Sequence, residues 1–353
     1  MSRIKRCSYC GVPRAFGKDN VWNDDGTIIQ ARNPDHRVFF HEADGLDQLF
    51  KRIEELIGLP LDRIIVEGKR KGSLEYVQNL YPGYKRILLR ALRRKVYGST
   101  ADIGAMFGLG HYELLDFSKG EYIKVYGRNV YCLPMFSGDL IAVFNFVEGL
   151  PADLRIEERG DGYEVTVVYG EEYEEFVSRL DMARYSRKPG DVKHERCPEC
   201  GVPLDLREYE WDLEEGVITD TVTGRHMVFT GPRELDSIML ELVSELGEEV
   251  GETIVEAQRQ YIMETLQQKE FEQSPDYLFR QFAKRGLGNL VSFELDKNRI
   301  QAVVENAITP FLLVGILQGI YELTAGNRST VEYDMAEDGT LRVTATAAAG
   351  GTG

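Results

Sequence analysis

Residues 6–30 read RCSYCGVPRAFGKDNVWNDDGTIIQ, and residues 196–220 read RCPECGVPLDLREYEWDLEEGVITD. Each stretch opens with Cys-x-x-Cys-Gly-Val-Pro and closes on a turn with one glycine, Gly26 or Gly216. Two thiolates two residues apart can face one ion, and the glycine after them permits the tight turn that aims backbone N–H groups at sulfur. A structural zinc takes four ligands, so each stretch holds half a site.

Working outward from Cys7 laid on Cys197, the register holds without a gap. Cys10, Gly11, Val12, Pro13, Ile28, His36, Val38 and Phe39 meet Cys200, Gly201, Val202, Pro203, Ile218, His226, Val228 and Phe229. With one gap, LDQLFKRIEELIG…IIVEGKR meets LDSIMLELVSELG…TIVEAQR, and FGLGHYELLDF then meets RGLGNLVSFEL. The closing segments DLRIEERGDGYEVTV and STVEYDMAEDGTLRV also correspond. The matches keep their order, so the chain reads as a tandem duplication. The expected fold class is α/β (α+β): a zinc knuckle plus a mixed helix and antiparallel-sheet unit, repeated about a pseudo-two-fold. The first repeat covers 1–170, a linker 171–196, the second repeat 197–346, and 347–353 are a disordered tail.

Within each unit the knuckle should lead directly into a hairpin and an extended strand. Apolar periodicity predicts helices over 46–58, 62–80 and 84–97, with counterparts over 235–247, 250–270 and 275–285. A Gly-Leu-Gly turn opens a β-meander, an apolar helix follows (SGDLIAVFNFVEG or FLLVGILQGIYEL), and two strands close the unit. The linker's YSRKPGDVKHER suits an exposed connection.

That last order of strands, apolar helix and two closing strands resembles the 4-vinyl-reductase domain superfamily. Residues 289–345 (NLVSFEL…TLRVTA) carry the similarity, and residues 112–168 (YELLDF…YEVTVV) carry it more faintly. Members include sensor domains of aromatic-responsive activators, a bacteriochlorophyll-pathway protein and vesicle-tethering subunits. The resemblance implies an apolar pocket for a small hydrophobic or aromatic molecule. Candidate lining residues are Tyr131, Cys132, Met135, Phe136, Phe311 and Ile316. The cysteine cluster that many members carry near the domain's end is absent here.

Composition narrows the function classes. The chain has 353 residues, 43% hydrophobic and 28% charged, enough for two globular domains with a real core. A net charge of −16 repels a phosphate backbone, which argues against nucleic acid outside a local basic patch. The N-terminus lacks the apolar run of a signal peptide, and ITPFLLVGILQGIYEL is too short to span a bilayer. Of five cysteines, four fall in two close pairs, the usage of reduced thiols in a cytoplasmic metal-binding protein.

For the metal, the main expectation is one zinc shared by Cys7, Cys10, Cys197 and Cys200. The alternative gives each repeat its own zinc, with His36 or His226 as third ligand and an open catalytic position. Unmetallated redox thiols, an iron–sulfur cluster or an intermolecular zinc also remain open. A thioredoxin-like pair is disfavoured, because a hairpin and not a helix N-terminus should follow the cysteines.

Two further features stand out. Glu67 with Arg70 and Glu256 with Arg259 recur at i,i+3, as surface pairs, as half-buried ion pairs or as anion-binding arginines. YKRILLRALRRKVYG (84–98) is a basic helix within an acidic chain, either a solvated face or a site for a protein or anionic partner. No phosphate-binding loop, Gly-x-Ser-x-Gly elbow or His-Glu-x-x-His motif occurs. The leading functional expectation is a non-catalytic sensor or carrier, capable of homodimer formation. The rivals are a zinc-assisted or tetrapyrrole-acting enzyme and an assembly scaffold.

Overall fold

The computed structural model describes residues 4–80, 92–170, 182–267 and 275–348. The first knuckle runs into a short helix α1 (Arg14–Asp19) and then strands β1 (Asn20–Trp22), β2 (Ile28–Gln30) and β3 (Asn33–Glu42). Helices α2 (Ala43–Ile57), α3 (Asp62–Leu80) and α4 (Arg93–Met106) follow. Then come β4 (His111–Ser118), β5 (Tyr122–Arg128), α5 (Leu133–Glu148), β6 (Ala152–Arg159) and β7 (Gly162–Tyr169).

After the second knuckle, a 3-10 turn (Leu204–Glu208) leads to β8 (Tyr209–Asp212), β9 (Val217–Asp220) and β10 (His226–Thr230). Helices α6 (Pro232–Leu246), α7 (Glu249–Thr265) and α8 (Pro275–Arg285) precede β11 (Asn289–Leu295) and β12 (Arg299–Glu305). The described chain closes with α9 (Pro310–Ala325), β13 (Ser329–Met335) and β14 (Leu341–Ala347).

These strands form three antiparallel sheets: β1-β2-β3-β10-β9-β8, β4-β5-β7-β6 and β11-β12-β14-β13. The six-stranded sheet joins both parts of the chain at β3–β10, where Phe40 faces Phe229 and Phe39 faces Thr230. In the four-stranded sheets the alternation is the expected one for a half-buried strand: Ile123 and Val125 of β5 and Ile300, Ala302 and Val304 of β12 point into the core. The apolar helices α5 and α9 lie on those sheets and press against α3 and α7. Gly138 and Gly315 make that approach possible. A Cβ at Gly138 would fall 2.6 Å from the Val66 carbonyl, and one at Gly315 2.7 Å from the Val255 carbonyl.

The hairpin turns make an equally close approach across the chain. Gly26 and Gly216 both have positive φ (75° and 66°). A side chain at Gly26 would collide with the backbone of Gly288, and one at Gly216 with that of Gly110. Only glycine meets both demands. A mixed apolar core runs through α2, α3, α5, α6, α7 and α9. A second core packs Phe16, Trp22, Phe40, Trp211 and Phe229 beneath the knuckles.

Three expectations need correction. A six-residue helix, anchored by buried Phe16, separates the first knuckle from its hairpin. The described part of the linker is exposed or half-buried throughout, as its composition suggests, and it is also pinned: Tyr185 donates to Asp236 at 2.6 Å, Arg187 pairs with Asp25 at 2.7 Å, and the Lys188 N–H donates to Asn306 at 2.6 Å. Ala347 is not in the tail, since it pairs with Ser329 in the β13–β14 ladder. Helix α7 stops at Thr265, short of residue 270. The basic segment 84–91 lies outside the described residues, as do 171–181, 268–274 and 349–353. Of the helix expected over 84–97, the described part begins at Arg93, and that helix, α4, extends to Met106.

Candidate functional site

The two knuckles fold alike. The Cys7 N–H donates to Val12 at 2.8 Å and the Gly11 N–H to Cys7 at 3.0 Å; the Cys197 and Gly201 N–H groups do the same at 2.8 and 2.9 Å. The turns bring the four sulfurs together. Cys7 and Cys197 Sγ lie 3.7 Å apart, Cys10 and Cys200 Sγ 3.5 Å apart, and all four lie within 4.8 Å of one another. A tetrahedron with metal–sulfur bonds of about 2.3 Å has edges of about 3.8 Å, so the nest fits a single tetrahedral thiolate ion. The cluster can hold a metal, and the geometry suits zinc or a single iron equally.

Burial opposes ionisation of Cys7 and Cys197, but N–H groups of Cys10 and Tyr9, and of Cys200, hold both below the ordinary thiol value. Burial instead leads the upward shift of Cys10 and Cys200. Glu199 of the second knuckle spans to the first, accepting from Ser8 Oγ at 2.6 Å and the Tyr9 N–H at 3.1 Å, and pairing with Arg14. The clasp is thus held by more than its sulfurs.

Neither alternative histidine joins this cluster. Among the described residues, the four cysteines are the group of His, Cys, Asp and Glu side chains placed to share an ion. His226 stands exposed at the start of β10. His36 is buried, its ring 5.8 Å from that of Tyr76, and it lines a separate cavity.

That cavity, of about 120 Å³, lies between β3, α3, α4, the β4–β5 hairpin and α5, and reaches the end of β10. Tyr76, Phe107, Tyr112, Leu140 and Val143 are among the apolar residues that line it. One corner is charged. Lys69 Nζ donates to Thr230 Oγ1 at 3.0 Å and lies 3.6 Å from Asp139 and 3.8 Å from Glu234. Asp139 also accepts from Ser73 at 2.5 Å and from Tyr131 at 3.0 Å. Burial pushes Lys69 down, but Asp139 and Glu234 outweigh it and leave the ammonium above its ordinary value. Burial pushes both carboxylates up, with Lys69 opposing. It drives His36 down to about 4. Lys69 is therefore a held cation, unsuited to act as a neutral nucleophile.

The expected lining residues are scattered. Tyr131 and Cys132 border a different groove of about 460 Å³, beside Asp44, Asp47 and Lys51, where burial pushes the Cys132 thiol up to about 12. Met135 is fully buried, and Phe136 stacks on Tyr112 at 4.6 Å from the far side of the cavity wall. Ile316 borders a smaller cavity of about 100 Å³ near His41 and Tyr261, and Phe311 packs edge-on against Tyr333. The charged corner went unread in the sequence. Its legible signal is Asp139, a carboxylate nearly two turns into a mostly apolar helix. The recurring arginines are buried and paired: Arg70 with buried Glu67 at 2.7 Å, and Arg259 with buried Glu322 and the more exposed Glu256, both at 2.6 Å.

No described helix is long and apolar enough to cross a membrane. No family model matches the chain, and neither a curated protein nor a solved structure does.

Proposed function

We propose that this protein binds a small hydrophobic or aromatic molecule in the Tyr76–Phe107–Tyr112 cavity, as a cytoplasmic sensor or carrier held in shape by one zinc. The observation that carries the reading is the cavity itself: an apolar, ring-lined chamber with a few convergent polar groups in one corner, which is the usual make-up of a ligand site. Its volume is close to that of an engineered apolar cavity of about 150 Å³ that holds benzene.

The wider architecture is read as two diverged copies of one unit about a pseudo-two-fold, each ending in a 4-vinyl-reductase-like half. Three features support this: the mirrored order of the six-stranded sheet about β3–β10, the shared order of the two four-stranded sheets, and glycines at matching places on α5 and α9. Zinc is read from the closed four-sulfur nest, and the cytoplasm from the reduced state such a nest requires.

The test is ligand-observed NMR with toluene and indole, on the wild type and on Val143→Trp, which fills the cavity. Binding to the wild type with loss in the variant supports the reading. Equal binding to both proteins, or none to either, would overturn it.

A further inference from the structure

The wall of this cavity and its charged corner select for different parts of one molecule. Asp139 is satisfied: Ser73 and Tyr131 each serve one oxygen, and Lys69 lies alongside. Lys69 has Thr230 as its tight acceptor. Glu234 is satisfied only in part, by its own backbone N–H. Its carboxylate is buried, Lys69 is 3.8 Å from Oε1, and Oε2 has no hydrogen-bond partner.

The fold makes room for this side chain. A Cβ at Gly72 would fall 2.1 Å from Glu234 Cγ, and one at Gly231 would fall 2.3 Å from Oε2. A buried carboxylate oxygen without a donor carries a full desolvation cost. A second orphan borders the same cavity, His36 Nδ1, on a ring that is buried and neutral. An imidazole nitrogen in that state can accept a hydrogen bond. With both carboxylates ionised, Lys69, Asp139 and Glu234 leave one negative charge uncompensated inside the protein.

We infer that the cavity takes a monocyclic aralkylammonium ion, its ring against Tyr76, Phe107 and Tyr112 and its NH3+ donating to Glu234 Oε2 and His36 Nδ1. The cation supplies donors to both orphans and cancels the residual charge, and the ring faces nearby favour it further. An anionic head would meet two buried carboxylates, and a hydrocarbon would leave both acceptors bare. The inference rests on the cavity being a ligand site.

Four near-isosteres separate the two claims by calorimetry on the full chain: 2-phenylethylamine, 2-phenylethanol, ethylbenzene and phenylacetate. The amine should bind at least about tenfold tighter than the alcohol, since charge-assisted bonds are roughly twice as strong as neutral ones. Phenylacetate should not bind. Glu234→Gln should lose that amine preference while still binding ethylbenzene, which also shows that the variant is folded. Should Glu234→Gln lose ethylbenzene too, Glu234→Asp, which withdraws the charge by one methylene, carries the test through the amine-to-ethylbenzene ratio. Alcohol or ethylbenzene binding as tightly as the amine, or a ratio unchanged in the variant, overturns the ammonium assignment and leaves the cavity reading intact. No binding by any of the four overturns the cavity reading with it.

Discussion

Trp22 donates its indole N–H to the backbone carbonyl of Lys284, 3.0 Å away and 262 residues further along the chain. Trp211 does the converse, donating to the Met106 carbonyl at 3.0 Å. The β1–β2 hairpin is thereby seated on the end of α8, and the β8–β9 hairpin on the end of α4. Both indoles are buried, so each bond is made out of water. Neither end of the chain can complete its own core, and the fold should behave as one cooperative unit.

Replacing Trp22 by Phe keeps a ring in the core but strands the Lys284 carbonyl. Each such loss should cost about 1–3 kcal/mol. Trp211→Phe should cost a similar amount through Met106. Urea unfolding should remain a single transition in both variants, with a lower midpoint. Two separated transitions in either one would show that the halves unfold independently.

Local pattern made much of this fold legible. The knuckles, the Gly-Leu-Gly turns and helices α2, α3, α6 and α8 each follow from spacings within a few residues, and they lie where those spacings put them within a few residues. What the pattern could not carry was convergence. Lys69, Asp139 and Glu234 sit on three helices, and no spacing links them before α3, α5 and α6 pack together. His36 is the instructive case. Its distance from the cysteines suggested a ligand, yet a strand turns its ring to one definite side, and that side faces the cavity. The linker shows a related limit: its composition suits the exposed course it takes, but does not announce that Arg187 reaches Asp25 or that the Tyr185 hydroxyl reaches Asp236.

The buried imidazole of His36 makes stability depend on pH in a defined direction. Its folded pKa, about 4, lies below the ordinary imidazole value of 6.5, so between these values the unfolded chain binds the extra proton. Stability is full above pH 6.5 and falls as pH drops toward 4. His41, also lowered to about 4, acts the same way. Asp236, raised to about 6 chiefly by burial, acts oppositely as pH rises from 3.8 to 6. His36→Asn removes one of these contributions. The loss of unfolding free energy between pH 7 and pH 5 should shrink by roughly 2 kcal/mol relative to wild type. An unchanged difference would mean that His36 is solvated in the folded state.

Among the described residues, Arg259 is the cation paired with Glu322, whose side chain is only 4% exposed. Removing the arginine alone leaves a buried carboxylate that the Ser329 N–H and hydroxyl, both at 2.8 Å, satisfy only in part. Arg259→Met should therefore cost about 3 kcal/mol, the lower end for a broken buried pair. Arg259→Met with Glu322→Gln should recover most of that loss, because the amide oxygen can still accept from Ser329. Denaturation of the two single variants and the double variant measures the coupling. Simple additivity would show that the pair is effectively solvated.

The metal nest makes the sharpest claim about how the chain is joined. Its four sulfurs come from two turns far apart in sequence, so one ion per chain should tie both turns down, and native mass spectrometry should find a single ion and identify it by mass. The loop that this ion closes is long, but closure entropy grows by only about 0.6 kcal/mol per doubling of length. Four-thiolate zinc binding, about 10–16 kcal/mol in small peptides, far exceeds that increment. Loss of any one of Cys7, Cys10, Cys197 or Cys200 should nearly abolish binding. Because the aromatic core of Phe16, Trp22, Trp211 and Phe229 packs directly beneath the nest, chelation should lower the melting temperature of the whole chain in one transition. Two ions per chain, or half occupancy surviving in Cys7→Ala, would break the shared site and return the histidines to consideration.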